Sequence, residues 1–243
     1  MFQFFVEPEQ IREDIVIITG SDVNHIRNVL RMKSGEQVRI SDNCGGDYLC
    51  EIQEITAEQV ALHILETCAN TELPVKVTLY QGLPKSDKME LIIQKAVELG
   101  VSEIVPVSMK NCVVKLDEKK AKSKQSRWQS IAESAAKQSK RSVIPTVGAV
   151  MTFAQAVEQA KNMDVRLVPY EQERGMAYTR ASLDSIKKGD EVAIFIGPEG
   201  GFAPSEIELV RDDMKLISLG NRILRTETAG LATLAMLIFA IED

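Results

Sequence analysis

The chain has 243 residues, of which 44% are hydrophobic and 26% charged, a composition typical of a globular protein with one large or two smaller domains. Its four cysteines lack C-x-x-C spacing and only two histidines are present, so we expect reduced thiols and no metal site. The net charge of −6 argues against a surface that binds nucleic acid everywhere, and the absence of a signal-peptide pattern favours a cytoplasmic protein.

The charge is unevenly distributed along the chain. Residues 1–72 carry 5 basic and 13 acidic side chains, a net charge of −8, whereas residues 110–141 carry 10 basic and 3 acidic side chains, a net charge of +7. A basic segment of this kind is compatible with a phosphate backbone, and equally with a solvated helix face.

Short runs of alternating apolar and polar residues dominate the first 72 residues. They predict strands at Gln37–Ser41, Tyr48–Ile55 and Gln59–Leu65, with a turn-forming cluster at residues 43–47. This pattern favours a small β-barrel or sandwich.

One predicted helix, Asp22–Met32, interrupts these strands. Its inward face is expected to hold Val23, Ile26, Val29 and Leu30. A polar stripe with i, i+3, i+4, i+7 spacing follows the other face, formed by Asn24, Arg27, Asn28 and Arg31 and continued by Lys33. Two arginines without an acid on the stripe favour phosphate contacts; alternatively, they pair with acids of their own domain such as Asp22 or Glu36.

Residues 69–74 are typical of a linker, and strands alternate with helices beyond it. The predicted strands are Val75–Gln81, Ile104–Val107, Val165–Pro169, Glu191–Ile196 and Lys215–Leu219. The predicted helices are Asp87–Leu99, Ser123–Ser139 and Thr228–Glu242. This alternation predicts an α/β domain, residues 73–243, with a mainly parallel sheet covered by helices on both faces.

The last predicted helix is apolar nearly all round. With about 14 residues it is shorter than the roughly 20 that a membrane span needs, so no membrane partner is expected. A helix that is apolar on every side must be covered on every side. Since the sheet covers one face, a second subunit is the expected cover for another.

Two loops directly follow apolar strands and carry unusual residues. The first is G-P-E-G-G-F at 197–202, and the second is L-G-N-R-I-L-R at 219–225, which runs into T-E-T-A at 226–229. Each could be a simple tight βα connection, but ligands of parallel sheets bind beyond the carboxyl ends of strands, where both loops lie. Because Glu199 would repel a phosphate, the expected ligand of this pocket is neutral or cationic.

A helix is expected after Phe202, and two starting points fit the sequence. Either Ala203 caps the helix with Pro204 in its first turn, or Ser205 caps it with Glu208 completing a capping box. Both leave amide N–H groups near the glycine loop available to a ligand.

These two loops, I-G-P-E-G-G-F (196–202) and L-G-N-R-I-L-R-T-E-T-A (219–229), resemble those of the bacterial 16S ribosomal RNA uracil-N3 methyltransferases of the SPOUT superfamily. The resemblance extends to K-S-D-K-M-E-L-I-I-Q-K-A-V-E-L-G-V (85–101) and H-I-R-N-V-L-R-M-K-S-G-E (25–36). It therefore covers nearly the whole chain, with four motifs in the right order.

The resemblance implies a PUA-like RNA-binding barrel at residues 1–72, a trefoil-knotted methyltransferase domain at 73–243, a homodimer, and S-adenosylmethionine held in the knot. The cofactor-binding residues expected on this basis are Val168, Pro169, Ile196, Gly197, Pro198, Glu199, Gly200, Gly201, Leu219, Gly220, Ile223, Leu224, Arg225, Thr228 and Ala229. Contacts to 16S ribosomal RNA in the small subunit are expected from Asn24, Arg27, Arg31, Lys33, Lys85, Lys110 and Arg141.

Three positions depart from the pattern of this family. Lys110-Asn111 stands where an E-R pair is usual, Ala203 replaces a Ser or Thr, and Lys137 replaces a commoner acid. The role of the missing arginine is therefore absent here or passes to Lys110.

The expected reaction is methyl transfer to N3 of one uridine. Negative charge that develops on the flanking carbonyl oxygens would be stabilised by a guanidinium, for which Arg225 is the first candidate. Glu199 either accepts the N3 proton, directly or through water, or only orders the loop. Two alternatives stay open: a knot methyltransferase that acts on another base or a ribose hydroxyl, and a non-catalytic RNA-binding protein of ribosome assembly.

Overall fold

The structure is a computed structural model that describes residues 1–242, and the chain divides into two compact units. The first unit contains residues 1–72 together with residues 136–144. The second contains residues 73–135 and the chain from residue 145 onward. The segment 136–144 is therefore part of the first unit, although it lies far beyond residue 72, where the sequence analysis divides the chain.

The first unit is a six-stranded sheet in the order β1-β4-β5-β6-β3-β2. Only the β1–β4 pair is parallel, and the apolar sides of the strands enclose one core that includes Val16, Ile18, Ile40, Ile52 and Leu62. The strands are β1 Gln3–Phe5, β2 Ile11–Arg12, β3 Ile15–Thr19, β4 Gln37–Ser41, β5 Asp47–Ile55 and β6 Gln59–Thr67, and a 3-10 turn lies at Pro8–Gln10.

The helix of the first unit is shorter and less regular than the sequence predicts. It consists of α1, Ser21–Asn24, followed by a π-helical turn at His25–Val29 in which Leu30 N donates to His25 O at 2.9 Å. The extra residue in a π turn shifts the phase of the side chains. Val23 and Ile26 are buried as predicted, but Val29 is 62% exposed, so its predicted inward orientation is wrong.

Two buried arginine–carboxylate pairs stabilise the first unit. Arg39 pairs with Asp47, which also accepts a hydrogen bond from Ser142 Oγ at 3.1 Å. Arg141 is 4% exposed and pairs with Glu72, which also accepts from the amides of residues 142 and 143. The predicted RNA contact of Arg141 is therefore wrong: the guanidinium is enclosed, and it ties the segment 136–144 to the rest of the unit.

The second unit contains a sheet of seven strands, all paired in parallel. Its order is β10-β8-β7-β12-β11-β13, and β9 also pairs with β8. The strands are β7 Lys76–Gly82, β8 Glu103–Ser108, β9 Thr146–Val147, β10 Met151–Thr152, β11 Val165–Pro169, β12 Glu191–Ile196 and β13 Lys215–Ile217. After their first residue, β7 and β12 are buried throughout, which shows that both faces of the sheet are covered.

Six helices accompany this sheet within the described chain. They are α2 Lys88–Glu98, α3 Glu118–Ser139, α4 Phe153–Ala160, α5 Ala177–Asp184, α6 Pro204–Val210 and α7 Thr226–Ile241. Gly100, at a φ of +85°, ends the α2 region as the sequence predicts. Among residues 1–242, none of the helices is both long and apolar enough to cross a bilayer.

The predicted class, a mainly parallel α/β domain that follows a small antiparallel β domain, is confirmed. Strands β4, β11 and β12 have the predicted bounds, whereas β13 ends at Ile217 instead of Leu219. The trefoil knot implied by the resemblance stays a prediction.

Helix α7 is buried on one side only. Gly230, Thr233, Leu234 and Leu237 are buried, whereas Phe239 is 90% exposed. The chain itself therefore covers Leu234, and the uncovered apolar surface lies at the end of the helix that carries Phe239.

Candidate functional site

The candidate site lies where three neighbouring parallel strands end. Strands β12, β11 and β13 are adjacent in the sheet, so their carboxyl ends share one edge. The segments that follow them, 170–174, 197–202 and 218–225, line a cavity of about 380 Å³. This volume lies within the usual range for small-molecule sites, roughly 300–1,000 Å³.

All the predicted cofactor-binding residues line this cavity except Val168, Gly200 and Thr228. Val168 is fully buried inside β11, and Thr228 is exposed on the first turn of α7. A Cβ atom at Gly200 would lie 2.9 Å from Asn111 Cβ, so this glycine makes room for a neighbouring loop rather than for a ligand. Direct ligand contact from these three residues is therefore not supported.

The glycine loop is held from outside by the residues that depart from the family pattern. Asn111 Nδ2 donates to Gly200 O at 3.0 Å and to Gly201 O at 3.2 Å. Lys110 Nζ donates to Ser205 Oγ at 2.6 Å. Asn111 therefore supports the loop through its amide, and Lys110 supports the start of the following helix through its ammonium, where the usual pattern has a guanidinium.

The helix after the glycine loop begins at Pro204, with Ala203 at the N-cap. The first of the two predicted starting points is therefore correct, and Ser205 does not cap the helix. Glu206, which is 5% exposed, accepts from Ala203 N at 2.8 Å and from Lys110 N at 2.9 Å. A single buried carboxylate thus fixes the helix start and the neighbouring loop together.

A buried threonine joins the two predicted loops. Thr226 Oγ1 donates to Gly197 O at 2.7 Å and accepts from Gln81 Nε2 at 2.9 Å. Gln81, fully buried at the end of β7, also donates to Gly82 O at 3.0 Å. The first turn of α7, the glycine loop and β7 are therefore connected through one hydroxyl group.

One lysine bridges two carboxylates at the cavity wall. Lys88 Nζ lies 3.2 Å from Glu199 Oε1 and 3.1 Å from Glu227 Oε2, and these carboxylates raise the pKa of the ammonium. Burial alone would raise the pKa of Glu199. Two effects outweigh burial and lower this pKa: the hydrogen bonds that the carboxylate accepts, including the one from Lys85 N at 3.0 Å, and the charge of Lys88. Glu199 is therefore a weak base whose Oε1 already has two partners.

The side chain of Arg225, unlike that of Glu199, has no partner within the described chain. Arg225 is the N-cap of α7, and its carbonyl accepts from Thr228 N at 2.9 Å and Ala229 N at 2.8 Å. Its exposed side chain lines the cavity and forms no hydrogen bond or ion pair within residues 1–242. The backbone is therefore fixed, while the guanidinium is available to a ligand.

The other predicted RNA-binding residues lie in both units. Asn24, Arg27, Arg31 and Lys33 are exposed in the first unit, and Lys85 and Lys110 are exposed in the second. No ion pair involves Arg27, Arg31 or Lys33 in the described part of the chain, so the alternative of pairing with Asp22 or Glu36 does not hold. Asp22 instead lies 3.9 Å from Lys137 Nζ.

Sequence reasoning missed several residues of the cavity, including Lys88, Tyr170, Glu171, Arg174 and Thr226. The segment after β11 could have been found, because it follows a predicted parallel strand just as the two glycine-containing loops do. The role of Thr226 has no sequence signal, since its partner Gln81 lies 145 positions away.

Two family models match this chain. One, described as an RNA methyltransferase domain, matches residues 71–238, and the other, described as an RNA methyltransferase PUA domain, matches residues 18–65. The ribosomal RNA small subunit methyltransferase E of Bacillus subtilis is 40% identical over 100% of this chain and 98% of its own length. The protein of the same description from Synechocystis is 31% identical over 100% of this chain and 78% of its own length.

Solved structures agree with these sequence relationships. A ribosomal RNA small subunit methyltransferase E from Neisseria gonorrhoeae, bound to S-adenosyl methionine, superposes with a TM-score of 0.82 at 29% identity, covering 98% of this chain and 97% of that one. A Legionella pneumophila protein solved with the same bound cofactor gives a TM-score of 0.84 at 30% identity with the same coverage of both chains.

Proposed function

We propose that this chain, which belongs to the family of ribosomal RNA small subunit methyltransferase E, methylates N3 of one uridine in 16S ribosomal RNA. Membership of that family makes it an S-adenosylmethionine-dependent ribosomal RNA methyltransferase. The position on the base and the identity of the nucleotide are our inference. The observation that carries the proposal is the cavity between the two coupled loops, with the unpaired guanidinium of Arg225 in its wall.

The residues of the cavity fit S-adenosylmethionine. Apolar side chains of Ile196, Leu219 and Leu224 suit the adenosine, and Gly220, at a φ of +102°, leaves open space where a side chain would begin. The carboxylates of Glu171 and Glu199 suit a cationic group and would oppose a phosphate. When bound, the cofactor supplies a methyl group on a positively charged sulfur.

Arg225 would act on the uracil ring itself. Loss of the N3 proton leaves negative charge on the two carbonyl oxygens that flank N3. A guanidinium stays protonated and can donate two parallel N–H groups, so it stabilises this charge as it develops. Because the side chain of Arg225 has no partner among residues 1–242, it reaches the base without first breaking an ion pair.

Of the two roles considered for Glu199, the geometry favours ordering the loop. A general base works best when its pKa lies near the pH of the reaction, whereas the pKa of Glu199 is lowered. Its Oε1 already accepts from Lys85 N and lies beside the Lys88 ammonium. The N3–H is weakly acidic, so in our proposal its proton leaves to water.

The first unit is proposed to bind the RNA through the exposed side chains of Asn24, Arg27, Arg31 and Lys33. Arg27, Arg31 and Lys33 are cations in a unit that is otherwise acidic, so the contact depends on one local patch. Such a patch fixes position and register through phosphates without reading the sequence. We propose that the enzyme acts in the cytoplasm on the small ribosomal subunit.

We further propose a homodimer in which a second copy covers the end of α7. Phe239 is 90% exposed and Ile223, in the cavity loop, is 86% exposed. Side chains of this size are usually covered when they belong to an otherwise apolar helix.

The proposal is tested by incubating the purified protein with S-adenosylmethionine and unmethylated small subunits. The ribosomal RNA is then digested and its nucleosides are identified by mass spectrometry. We expect 3-methyluridine at one position. A different methylated base or a 2′-O-methyl nucleoside would contradict the N3 assignment, and no transfer to any RNA would contradict the function as a whole.

A further inference from the structure

A second cavity lies beside the first in the second unit, on the other side of the segment 83–88. It measures about 220 Å³ and is lined by that segment, by Met89, by Val114 and Leu116, and by Lys124 and Trp128 of α3. Asp87 and Lys88 are consecutive residues, yet Asp87 lines the second cavity and Lys88 the first. Their Cα atoms are about 3.8 Å apart, so the two cavities are close neighbours.

The separating segment is held in an unusual conformation. Lys85 N donates to Glu199 Oε1 of the glycine loop at 3.0 Å. The next residue, Ser86, has a φ of +56°, which is uncommon for a residue with a side chain. Ser86 and Asp87 line the second cavity, while the amide of the preceding residue is bonded to Glu199 of the first site.

The second cavity has an apolar side that would suit an aromatic ligand. Leu83, Met89 and Trp128 are 2–3% exposed and form its apolar part. The Lys124 ammonium lies 5.8 Å from the centroid of the Trp128 ring, where a long and flexible side chain occupies space next to an aromatic face. A nucleobase stacked there would take the place of this ammonium.

The polar residues and the positive charge around the cavity favour a nucleotide over an aromatic side chain of a basic peptide. A carboxylate such as Asp87 accepts N–H groups from a base edge. Residues 110–135, the part of this segment that belongs to the second unit, carry 7 basic and 3 acidic side chains, a net charge of +4, which attracts a phosphate backbone and opposes a basic peptide. Lys124, displaced from Trp128, would be free to reach a phosphate of the same strand.

We propose that the second cavity binds the base of a nucleotide adjacent to the methylated uridine. The inference rests on the proposed function, because it requires the target base to reach the cofactor that the first cavity holds. Two neighbouring nucleotides would then be held apart on opposite sides of the segment 83–88. Recognition of the flanking base would contribute to the choice of target without touching the cofactor.

Trp128 is the only tryptophan of the chain, so its fluorescence reports on this cavity alone. The probe is a short RNA fragment of the small subunit that contains the nucleotide methylated by the wild-type protein. Two further copies of this fragment lack one base each: one copy lacks the base directly 5′ of the methylated nucleotide, and the other lacks the base directly 3′ of it. We expect the intact fragment to quench Trp128, and one of the two abasic copies to lose the quenching. Equal quenching by all three fragments, or none, would overturn the proposal.

Two neighbouring valines provide a matched pair of variants. Val114 lines the cavity, whereas Val113 is 66% exposed and does not. V114F fills the cavity and should raise the KM for RNA about tenfold, within the range that stacking of one base supports. V113F should behave as the wild type, and both should bind S-adenosylmethionine with unchanged affinity in calorimetry.

A second variant, Asp87→Asn, tests the proposal even if V114F fails to fold. Asp87→Asn removes the carboxylate charge at a helix N-cap whose side chain makes no capping hydrogen bond, so the fold should be retained. We expect a higher KM for RNA with unchanged cofactor affinity. A KM equal to that of the wild type in both V114F and Asp87→Asn, with methylation intact, would overturn the flanking-base proposal while leaving the proposed function standing. Failure of the wild type to methylate any RNA would overturn both.

Discussion

The cavity of the second unit and the arginine-bearing helix of the first unit both present cations to solvent, but they are built in different ways. In the cavity, the backbone beside Arg225 is fixed by hydrogen bonds, and the loops around it are joined through Thr226 and Asn111. In the first unit, Arg27 lies in a single π-helical turn, and Arg31 lies two residues after the end of that turn at a φ of +54°.

This difference predicts different consequences of substitution. A positioned guanidinium acts on charge that develops at one place, so its loss should lower the rate of reaction with little dependence on salt. Cations on an exposed turn act on a phosphate backbone through counterion release, so their loss should change affinity in a salt-dependent way.

The largest effect is expected for Arg225→Ala. Removal of one donor to developing negative charge typically costs about 10²–10³ in kcat, and we expect a loss of this size with unchanged cofactor affinity. Arg225→Lys should restore only part of the rate, because an ammonium keeps the charge but not the two parallel donors. Single-turnover methylation of small subunits measures the rate, and a kcat within a factor of three of the wild type for Arg225→Ala would contradict the role.

The second effect concerns the connection between the loops. Thr226→Val keeps the shape but removes the hydroxyl, which leaves Gly197 O and Gln81 Nε2 without their shared partner. An unsatisfied buried group costs about 1–3 kcal/mol, so the affinity for S-adenosylmethionine should fall roughly tenfold or more. Thr226→Ser keeps the hydroxyl and is the matched control in calorimetry. Equal cofactor affinity of the Val and Ser variants would show that the two loops are held by other contacts.

Most of the strands could be predicted from the sequence, because those of the first unit alternate apolar and polar residues and those of the second unit are short apolar runs. It also located both loops of the cavity, since a loop that follows a parallel strand has only one edge of the sheet on which to lie. It could not place Val29 or Arg141. The first depends on a π turn that adds a residue to the helix, and the second on pairing with Glu72, which lies 69 positions away. Contacts of this kind are decided by the folded chain rather than by local pattern.

The third prediction concerns α7. Phe239→Lys places a charge on the exposed end of the helix and should convert the proposed dimer to a monomer, which multi-angle light scattering measures. Leu234→Lys is not a suitable variant for this purpose, because Leu234 is fully buried within its own chain and a charge there would disrupt the fold. A lysine at exposed Leu209 of α6 is the control for added charge. A dimeric mass for the Phe239→Lys protein would show that Phe239 is not part of the dimer interface.

A smaller effect is expected for Glu199→Gln. If the carboxylate only orders the loop, kcat should fall less than tenfold, whereas loss of a general base typically costs 10²–10⁴. The lowered pKa also gives a pH signature. Stabilisation by the carboxylate is present above its ordinary pKa of 4.5 and is lost as the pH falls through the lower folded value. The difference in melting temperature between the wild type and Glu199→Gln should therefore disappear in acid, and a difference that persists there would contradict this origin.

The smallest effect on turnover, and the clearest one on salt dependence, is expected for Arg27→Ala combined with Arg31→Ala. Each arginine that contacts a phosphate contributes about one unit to the log–log slope of RNA affinity against salt, so the slope should flatten by up to about two units. Cofactor affinity should stay unchanged, because the cavity is formed by other residues. Both side chains are exposed and lack ion pairs within residues 1–242, so the melting temperature should also stay constant.

Filter binding across a salt series measures this slope. The control for removal of a cation from the same unit is Arg12→Ala, because Arg12 is exposed on the short strand β2. A lowered melting temperature with unaltered RNA affinity would show that the stripe stabilises the fold instead of binding RNA.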